Sequence, residues 1–381
     1  MKAFKNSTVY LDGIGLTKCS LIFDENILSI NQDTSLCKVI NLPNDAIVLP
    51  GFIDQHIHGA GGSDTMDATV SDLKNIALTL AKEGTTGFLA TTMTQSKENI
   101  CNALKAVKDY KELNFSQGAE LIGVHLEGPF ISPKFKGAQP LEFVCLPNIK
   151  LFDEFNKVSG NCIKIVTLAP EMENASIFIQ HLKSQNIVVS IGHSGAKYDD
   201  VVNAVENGAT NVTHAYNAQS PLHHREIGVV GSSLLIENLN LELIADTVHV
   251  SIPAIKLLLK NKSLDKITLI TDAMRAKGMS DGQSELGGQT VIVKDGEARL
   301  IDGTLAGSVL KMNYAIKNMV TKVGLSIEKA VDLATIVPAK TLGIDGSVGS
   351  IKVGKRANFA VINGNFDLIL TVRNGKIIYE K

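Results

Sequence analysis

Residues 51–58 read GFIDQHIH, a short apolar strand that ends in polar side chains. Similar apolar runs recur along the chain, and helical segments separate most of them. The further runs cover residues 87–91, 121–126, 163–168, 187–191, 211–213, 241–244 and 267–270. Strands of a parallel barrel are apolar throughout because the sheet is buried on both faces. Eight such strands joined by helices predict an α/β fold, a (β/α)8 TIM-like barrel.

The segments between these runs carry helix signals. Residues 71–83 have leucine and alanine at helical spacing, and a serine precedes the helical stretch 97–111 as a candidate cap. After the eighth strand, two further helices are predicted over about 309–322 and 326–336, the second stopping near Pro338. An open doubly wound sheet is the alternative fold, but no G-x-G-x-x-G motif follows the first strand.

Both ends of the chain read as β structure. Near the C-terminus, Asn374-Gly375 lies between two apolar runs, which is typical of a two-residue hairpin. Neither end is long enough to bury a core alone, so we expect residues 1–50 and 347–381 to form one small β-sandwich domain. Residues 51–346 are then the barrel domain, with a β-hairpin insert near 288–303.

Composition excludes several classes of protein. The 381 residues include 37 Lys+Arg and 39 Asp+Glu, so the net charge of −2 lacks the basic excess of a nucleic-acid-binding protein. No stretch is apolar enough to cross a membrane, and the start lacks the apolar core of a signal peptide. The five cysteines are scattered and never spaced as C-x-x-C, which favours a reducing compartment. We therefore expect a cytoplasmic protein with no nucleic-acid or membrane partner.

Polar residues at the ends of the predicted strands are the candidate site. His56 and His58 close the first strand, and their spacing of two places both side chains on one face, roughly 7 Å apart. A His-x-His pair alone is as often a hydrogen-bonded polar pair as a metal site. The carboxyl ends of barrel strands, however, form the rim on which barrel active sites are built.

Four more such residues follow other strands: Glu127 the third, His193 the fifth, His214 the sixth and Asp272 the eighth. Singly, each has an ordinary explanation as a capping acid or a satisfied core histidine. Together with the two histidines of the first strand they would be costly to bury without a cation. Glu127, His193 and His214 supply a His₂-carboxylate set that holds a divalent ion and leaves a position open. Asp272 would stand beside it as a proton acceptor.

Several longer motifs resemble a known family. They are PGFIDQHIHG, HLEGPFISPKFKGA, IGHSGA, THAYNA, ADTVHV, LITDAM and TLAGS, with a tail reading PAKTLGI…GSIKVGKRANFAVI. Over essentially the whole chain the sequence resembles the amidohydrolase superfamily and, within it, the N-acetylglucosamine-6-phosphate deacetylase family. The resemblance implies metal-dependent hydrolysis of the acetamide of N-acetyl-D-glucosamine 6-phosphate. The products would be D-glucosamine 6-phosphate and acetate, in amino-sugar catabolism.

The resemblance also implies roles for residues. Glu127, His193 and His214 match the ligands of the main divalent ion, and Asp272 matches the catalytic proton acceptor and donor. His56 and His58 match the ligands of a second ion found in some members, so one or two ions per subunit are expected, with zinc, iron and manganese all accepting these donors. The implied substrate contacts are Ala138, Gln139, Asn217, Ala218, Arg225, Asp246, His249, Leu305, Ala306 and Gly307.

Two of these contacts have more specific implied roles. His249 orients the substrate and helps to stabilise the oxyanion, so it belongs with Asp272 among the catalytic residues. Arg225 holds the sugar phosphate and reaches the neighbouring site of a homodimer, a task that suits a guanidinium. Gln139 stands where relatives carry histidine, which leaves its role open.

Three alternatives remain at this point. Another amidohydrolase, acting on a cyclic amide or on N-acetylgalactosamine 6-phosphate, would share all the metal residues. A metal-free barrel isomerase for a phosphosugar would bind no ion. A non-catalytic sugar-phosphate-binding barrel is the third, and Asp272 disfavours it because binding alone needs no proton acceptor beside an ion.

Overall fold

The computed structural model describes all 381 residues, and its centre is a parallel barrel. The eight strands are Phe52–Ile57, Thr85–Thr92, Glu120–Glu127, Ile163–Leu168, Val188–Ile191, Asn211–Val212, Asn240–Ile244 and Ile267–Ile270. Each pairs in parallel with its neighbour in the chain. Beyond the eighth strand, the backbone N–H of Asp272 donates to the carbonyl of His56 at 2.9 Å. The last strand therefore meets the first, and the predicted (β/α)8 fold is confirmed.

Helices surround the barrel and cover it with apolar faces. They are Val70–Ala81, Lys97–Glu112, Ile149–Val158, Ala175–Ser184, Tyr198–Asn207, Gly228–Leu235, Ile252–Asn261, Met312–Asn318, Ile327–Asp332 and Ile336–Thr341. In the first, Leu73, Ile76 and Leu80 are buried at helical spacing, and the Thr69 side chain caps the start. These faces join the strands in one core cluster of 65 buried residues, which holds the strand ends in fixed positions.

The helices after the eighth strand differ from the prediction. The helix expected over 309–322 begins at Met312 and changes into a π-helical turn over Met319–Val323. The helix expected to stop near Pro338 ends already at Asp332, and a further short helix, Ile336–Thr341, contains that proline. The first turn of a helix tolerates proline because N–H groups there have no intrahelical acceptor.

Strands from both ends of the chain form a second sheet. Its members are Lys2–Leu11, Gly15–Phe23, Ile27–Ile30, Lys38–Ile40, Ile47–Pro50, Phe359–Ile362, Leu368–Arg373 and Lys376–Glu380. The antiparallel pairing of Ile47–Pro50 with Phe359–Ile362 joins the N-terminal strands to the C-terminal ones. The rings of Phe4, Phe23 and Phe359 lie 5.0–5.7 Å apart in the core of this sheet, so residues from both ends bury the same apolar cluster.

A smaller sheet is inserted after the eighth barrel strand. Its four antiparallel strands are Gly282–Leu286, Gln289–Lys294, Glu297–Leu300 and Leu305–Ser308. The hairpin expected near 288–303 is its central pair, and Asp295 and Gly296 turn it with φ of 53° and 82°. The last strand returns to the barrel, where the Ser308 N–H donates to the Asp272 carbonyl at 2.8 Å. The insert thus forms one wall above the barrel rim.

No helix in the structure combines the length and the apolar composition that a membrane span needs.

Candidate active site

Six polar side chains from five barrel strands meet at the rim, around the carboxylate of Glu127. All six are buried: His56, His58, Glu127, His193, His214 and Asp272. The Oε1 atom of Glu127 lies 3.2 Å from Nε2 of His193 and 3.1 Å from Nε2 of His214. Its Oε2 atom lies 3.2 Å from Nε2 of His58. The structure therefore brings together every residue that was predicted as a ligand or as the proton acceptor.

The first of two donor groups consists of Glu127, His193 and His214. The two Nε2 atoms lie 3.1 Å apart, so with Glu127 Oε1 they form a triangle with sides of 3.1–3.2 Å. A tetrahedral ion with bonds of about 2.0–2.1 Å sets its ligand atoms about 3.3 Å apart. The donor types and their spacing thus fit a divalent ion such as zinc.

The second group consists of His56, His58 and Asp272. Nε2 of His56 is buried and has no hydrogen-bond partner. It lies 3.5 Å both from Oε1 of Glu127 and from Oδ1 of Asp272, too far for a hydrogen bond to either. A buried ring nitrogen without a hydrogen-bond partner, aimed between two carboxylates, is suited to coordinate a cation. Glu127 borders both groups and so could bridge two ions.

Backbone strain marks the same positions. His193, His214 and Asp272 have φ of 48°, 31° and 48°, in the left-handed region that non-glycine residues seldom adopt. Such conformations cost about 1–3 kcal/mol each and persist only where the surrounding structure enforces them. Three strained residues that all direct polar side chains to one point indicate a site under functional constraint.

The charge state of Asp272 suits a proton acceptor. Burial alone would raise its pKa, but the charge of His56 and the hydrogen bond from His58 lower the pKa to about 2. The carboxylate is therefore ionised at neutral pH and can accept a proton.

A cavity of about 320 Å³ opens above these residues. His58, Glu127, His193, His214 and Asp272 form its polar floor. Its walls are Met93, Lys134, Phe135, Gly137, Ala138, Gln139, Asn217, Ala218, His249, Leu286, Thr304, Leu305 and Gly307. Of the ten predicted substrate contacts, the cavity includes seven: Ala138, Gln139, Asn217, Ala218, His249, Leu305 and Gly307. A larger cavity of about 540 Å³ near Arg356 and Arg373 contains none of the site residues.

The remaining three predicted contacts lie outside the cavity wall. Ala306 is buried beside it, and Asp246 lies behind His249. Arg225 is exposed in the loop after the sixth strand, where its Nη1 contacts the ring of His224 at 2.9 Å. Within one copy of the chain, Arg225 does not reach the site.

Asp246 holds His249 in place. Its Oδ2 atom lies 2.6 Å from Nδ1 of His249, and Oδ1 accepts from the backbone N–H groups of Val248 and His249, each at 2.8 Å. Burial lowers the pKa of His249, but the hydrogen bond and the charge of Asp246 outweigh burial, and the pKa is raised. The ring thus keeps a proton on the nitrogen that faces the cavity over a wider pH range.

Gln139 contacts the centre of the site. Its Nε2 donates to Oε2 of Glu127 at 3.0 Å, and its Oε1 accepts from the backbone N–H of Thr94 at 2.7 Å. The backbone contact fixes the direction of the amide, and the amide in turn orients the Glu127 carboxylate.

Sequence reasoning missed several residues of the site. Glu242 is buried in the seventh strand, and its carboxylate lies 2.9 Å from Nδ1 of His56. An acid in the middle of the apolar run NLELIAD was a signal, since buried acids are rare unless paired. Lys134, in the short 3₁₀ helix Pro133–Phe135, and Thr304, in a loop, line the cavity and gave no comparable signal.

Comparisons with known proteins agree with this geometry. Residues 47–378 match the model of the amidohydrolase family. The chain is 45% identical to an N-acetylglucosamine-6-phosphate deacetylase of Bacillus subtilis, over 90% of this chain and 87% of that one. It is 40% identical to an N-acetylgalactosamine-6-phosphate deacetylase of Escherichia coli O157:H7, over 83% and 84%.

A solved structure has the same fold over its full length. The crystal structure of N-acetylglucosamine-6-phosphate deacetylase from Pasteurella multocida superposes with a TM-score of 0.94 at 31% identity, covering 100% of both chains. The chain therefore belongs to the amidohydrolase family, and the two relatives named above are deacetylases of amino-sugar phosphates.

Proposed function

We propose that this enzyme hydrolyses the acetamide of N-acetyl-D-glucosamine 6-phosphate to D-glucosamine 6-phosphate and acetate. The observation that carries the proposal is an ionised Asp272 carboxylate beside a His₂-carboxylate group at the floor of a cavity. Relatives that are 45% and 41% identical carry this activity in their names. The cavity, at about 320 Å³, has room for a small phosphorylated sugar.

The cofactor in this proposal is a divalent ion held by Glu127, His193 and His214. His56 and His58 would hold a second ion, with Glu127 shared between the two. When bound, such an ion lowers the pKa of a water molecule and polarises an amide carbonyl. The nitrogen and oxygen donors accept zinc, iron or manganese, and the spacing of the main group is compatible with each of them.

Asp272 moves the proton in the proposed reaction. It accepts a proton from the attacking water as the C–O bond forms, and it donates that proton to the amide nitrogen as the C–N bond breaks. Its position supports both steps, since Oδ1 lies 3.2 Å from Nε2 of His58 at the cavity floor. The non-catalytic binding barrel gives no role to a proton acceptor, and the metal-free isomerase gives none to the His₂-carboxylate group beside it.

His249 stabilises the charge that develops on the carbonyl oxygen. Its Nδ1 is bonded to Asp246, so the other ring nitrogen is the one available to the cavity. A donor held in advance at the developing oxyanion contributes about 3–4 kcal/mol in comparable enzymes.

Phosphate recognition completes the proposal. We assign it to Arg225 of a second copy, the role that the family resemblance implies; in this chain the loop that carries Arg225 is exposed and its guanidinium lies outside its own cavity. The homodimer and the cytoplasmic location stay predictions.

The function is tested by measuring acetate release together with elemental analysis of the purified protein. N-acetylglucosamine 6-phosphate, its galactosamine epimer and unphosphorylated N-acetylglucosamine form the substrate panel. The proposal requires that the purified protein contains a divalent metal and that kcat/KM is highest for N-acetylglucosamine 6-phosphate. Faster turnover of the galactosamine epimer would assign the other named activity among the relatives, and no acetate release from any of the three would refute deacetylation.

A further inference from the structure

Glu242 is a buried carboxylate that the proposed reaction does not use. It lies in the seventh barrel strand and is 0% exposed, as are its two side-chain partners His56 and Gln55. Its Oε2 lies 2.9 Å from Nδ1 of His56, and its Oε1 accepts from Nε2 of Gln55 at 2.8 Å. Burying a carboxylate costs free energy even when the carboxylate is paired. An apolar residue would fill the same space at little or no cost in stability, so packing alone does not account for Glu242.

The contact with Glu242 fixes which nitrogen of His56 is free. A carboxylate only accepts hydrogen bonds, so Nδ1 of His56 carries the proton that lies between them. Nε2 is then directed at the gap between Glu127 and Asp272, at 3.5 Å from an oxygen of each. A histidine that donates one N–H to a carboxylate presents a more basic second nitrogen to a metal ion.

His56 differs in this respect from the other histidines at the rim. Nδ1 of His193 is bonded to the neutral Phe135 carbonyl at 3.0 Å. Nδ1 of His58 and Nδ1 of His214 have no hydrogen-bond partner. The negative charge of Glu242 therefore acts on His56 rather than on the side chains of the main ligand group.

The grouping of His56, His125 and Glu242 is not a third metal site, although their ligand atoms lie within 4.8 Å of one another. Both ring nitrogens of His125 are already bonded, Nδ1 to the Gln55 carbonyl at 3.1 Å and Nε2 to Oγ1 of Thr167 at 2.7 Å. Its ring packs against His56 with a centroid distance of 4.5 Å. Packing against His125 thus restricts the tilt of the His56 ring. The contact with Glu242 sets the direction in which its Nδ1 points.

We propose that Glu242 is a positioning residue that makes His56 a ligand, and that it thereby decides whether this enzyme holds a second ion. The inference rests on the proposed function for its metal sites. It goes further because binding of the second ion then depends on Glu242, a residue that contacts neither substrate nor ion.

The variant Glu242→Gln removes the charge while keeping the shape. Its amide oxygen can accept from Nδ1 of His56 and keep the longer contact of 3.4 Å to the His214 N–H. In the wild type, Oε1 of Gln55 has no hydrogen-bond partner. When the Gln55 amide flips, this oxygen can accept from the amide nitrogen that Glu242→Gln introduces. The matched control is Glu83→Gln, another buried carboxylate, which pairs with Lys277 at 2.6 Å and contacts none of the rim histidines.

The experiment measures zinc ions per subunit, the Kd of each ion by chelator competition, and the Tm of the metal-free protein. We expect two ions in the wild type, and in Glu242→Gln a second ion bound 10- to 100-fold more weakly with the first unchanged. Glu83→Gln should keep both affinities whatever its Tm. If Glu242→Gln does not fold, Glu242→Asp, whose shorter side chain keeps the charge but cannot reach His56 directly, should show the same selective loss.

Three results would overturn the inference. They are two ions bound by Glu242→Gln with wild-type affinities, a parallel loss of both ions with a lowered metal-free Tm, and a wild type that binds only one ion. The last result would leave the deacetylase function intact if acetate were released. Conversely, a wild type with two ions and no acetate release would refute the function, while selective loss in Glu242→Gln would still support the role of Glu242.

Discussion

Oδ1 of Asp272 lies 3.2 Å from Nε2 of His58, and the backbones that carry them are hydrogen-bonded where the last barrel strand meets the first. The His58 N–H donates to the Ala273 carbonyl at 2.9 Å, directly after Asp272. The backbone hydrogen bonds that close the barrel therefore also bring His58 and Asp272 together. A proton acceptor placed by backbone bonds on both sides needs no rearrangement when substrate enters.

Asp272→Asn should keep the ion held by Glu127, His193 and His214 and lose turnover. Asparagine has nearly the same shape but cannot accept the proton, so we expect kcat to fall by about 10²–10⁴-fold. Elemental analysis should give the wild-type content of the main site, because Glu127, His193 and His214 are unchanged. Near-normal kcat in this variant would remove Asp272 from the proton transfer.

Asp246→Asn should change the pH dependence. In the wild type the Asp246 carboxylate raises the pKa of His249, so the protonated ring persists to higher pH. The variant loses this charge, and His249 then loses its proton at lower pH. The alkaline limb of the kcat/KM profile should therefore move to lower pH while the acid limb stays in place. An unchanged alkaline limb would show that protonated His249 is not required.

Arg225→Ala tests recognition of the phosphate across the proposed dimer. A charge-assisted hydrogen bond contributes about 1.5–3 kcal/mol, so KM for N-acetylglucosamine 6-phosphate should rise about 10- to 100-fold. KM for unphosphorylated N-acetylglucosamine should hardly change. Lys18, an exposed cation in the strand Gly15–Phe23 of the terminal sheet, offers a control as Lys18→Ala, for which we expect no change in KM for either sugar. Equal rises for both sugars in Arg225→Ala would contradict phosphate recognition at this position.

Gln139→Leu should weaken metal binding more than substrate binding. The Gln139 amide orients Glu127 through a hydrogen bond of 3.0 Å, and loss of such a partner costs about 10- to 100-fold in metal affinity. Zinc titration of the metal-free variant measures this loss directly. With metal in excess, KM should be close to the wild-type value, and a raised KM with normal zinc affinity would make Gln139 a substrate contact instead.

Much of this fold and site was predictable because the signals are local. Most barrel strands are short, mainly apolar runs, and the polar residue that follows such a run marks the rim. His58, Glu127 and Asp272 could be placed together without coordinates, because the carboxyl ends of parallel strands meet at one edge.

The remainder depends on partners that are distant in the chain. The outer strand Gly282–Leu286 of the insert, with the sequence GQSEL, has little apolar character and is recognisable only through its pairing. The role of Glu242 can be recognised only from its contact with His56, which lies on another strand. Lys134 and Thr304 reach the cavity from a short 3₁₀ helix and a loop, and no periodicity in the sequence predicts where these segments lie.

Removal of metal should abolish acetate release reversibly. Treatment with a chelator followed by dialysis should leave a folded protein without activity, and zinc, manganese or iron should restore it. Bound metal should also raise Tm, and a tighter-binding ion should raise it more, because an ion that binds only the folded state stabilises that state. Full activity in protein shown by elemental analysis to be metal-free would exclude a metal-dependent reaction.

Anomalous X-ray diffraction from crystals of active, metal-loaded protein would locate each ion relative to the rim residues. We predict an anomalous peak about 2.0–2.2 Å from a Glu127 oxygen and from Nε2 of both His193 and His214. Active crystals that show no peak within bonding distance of these three atoms, or that hold their metal elsewhere, would contradict it.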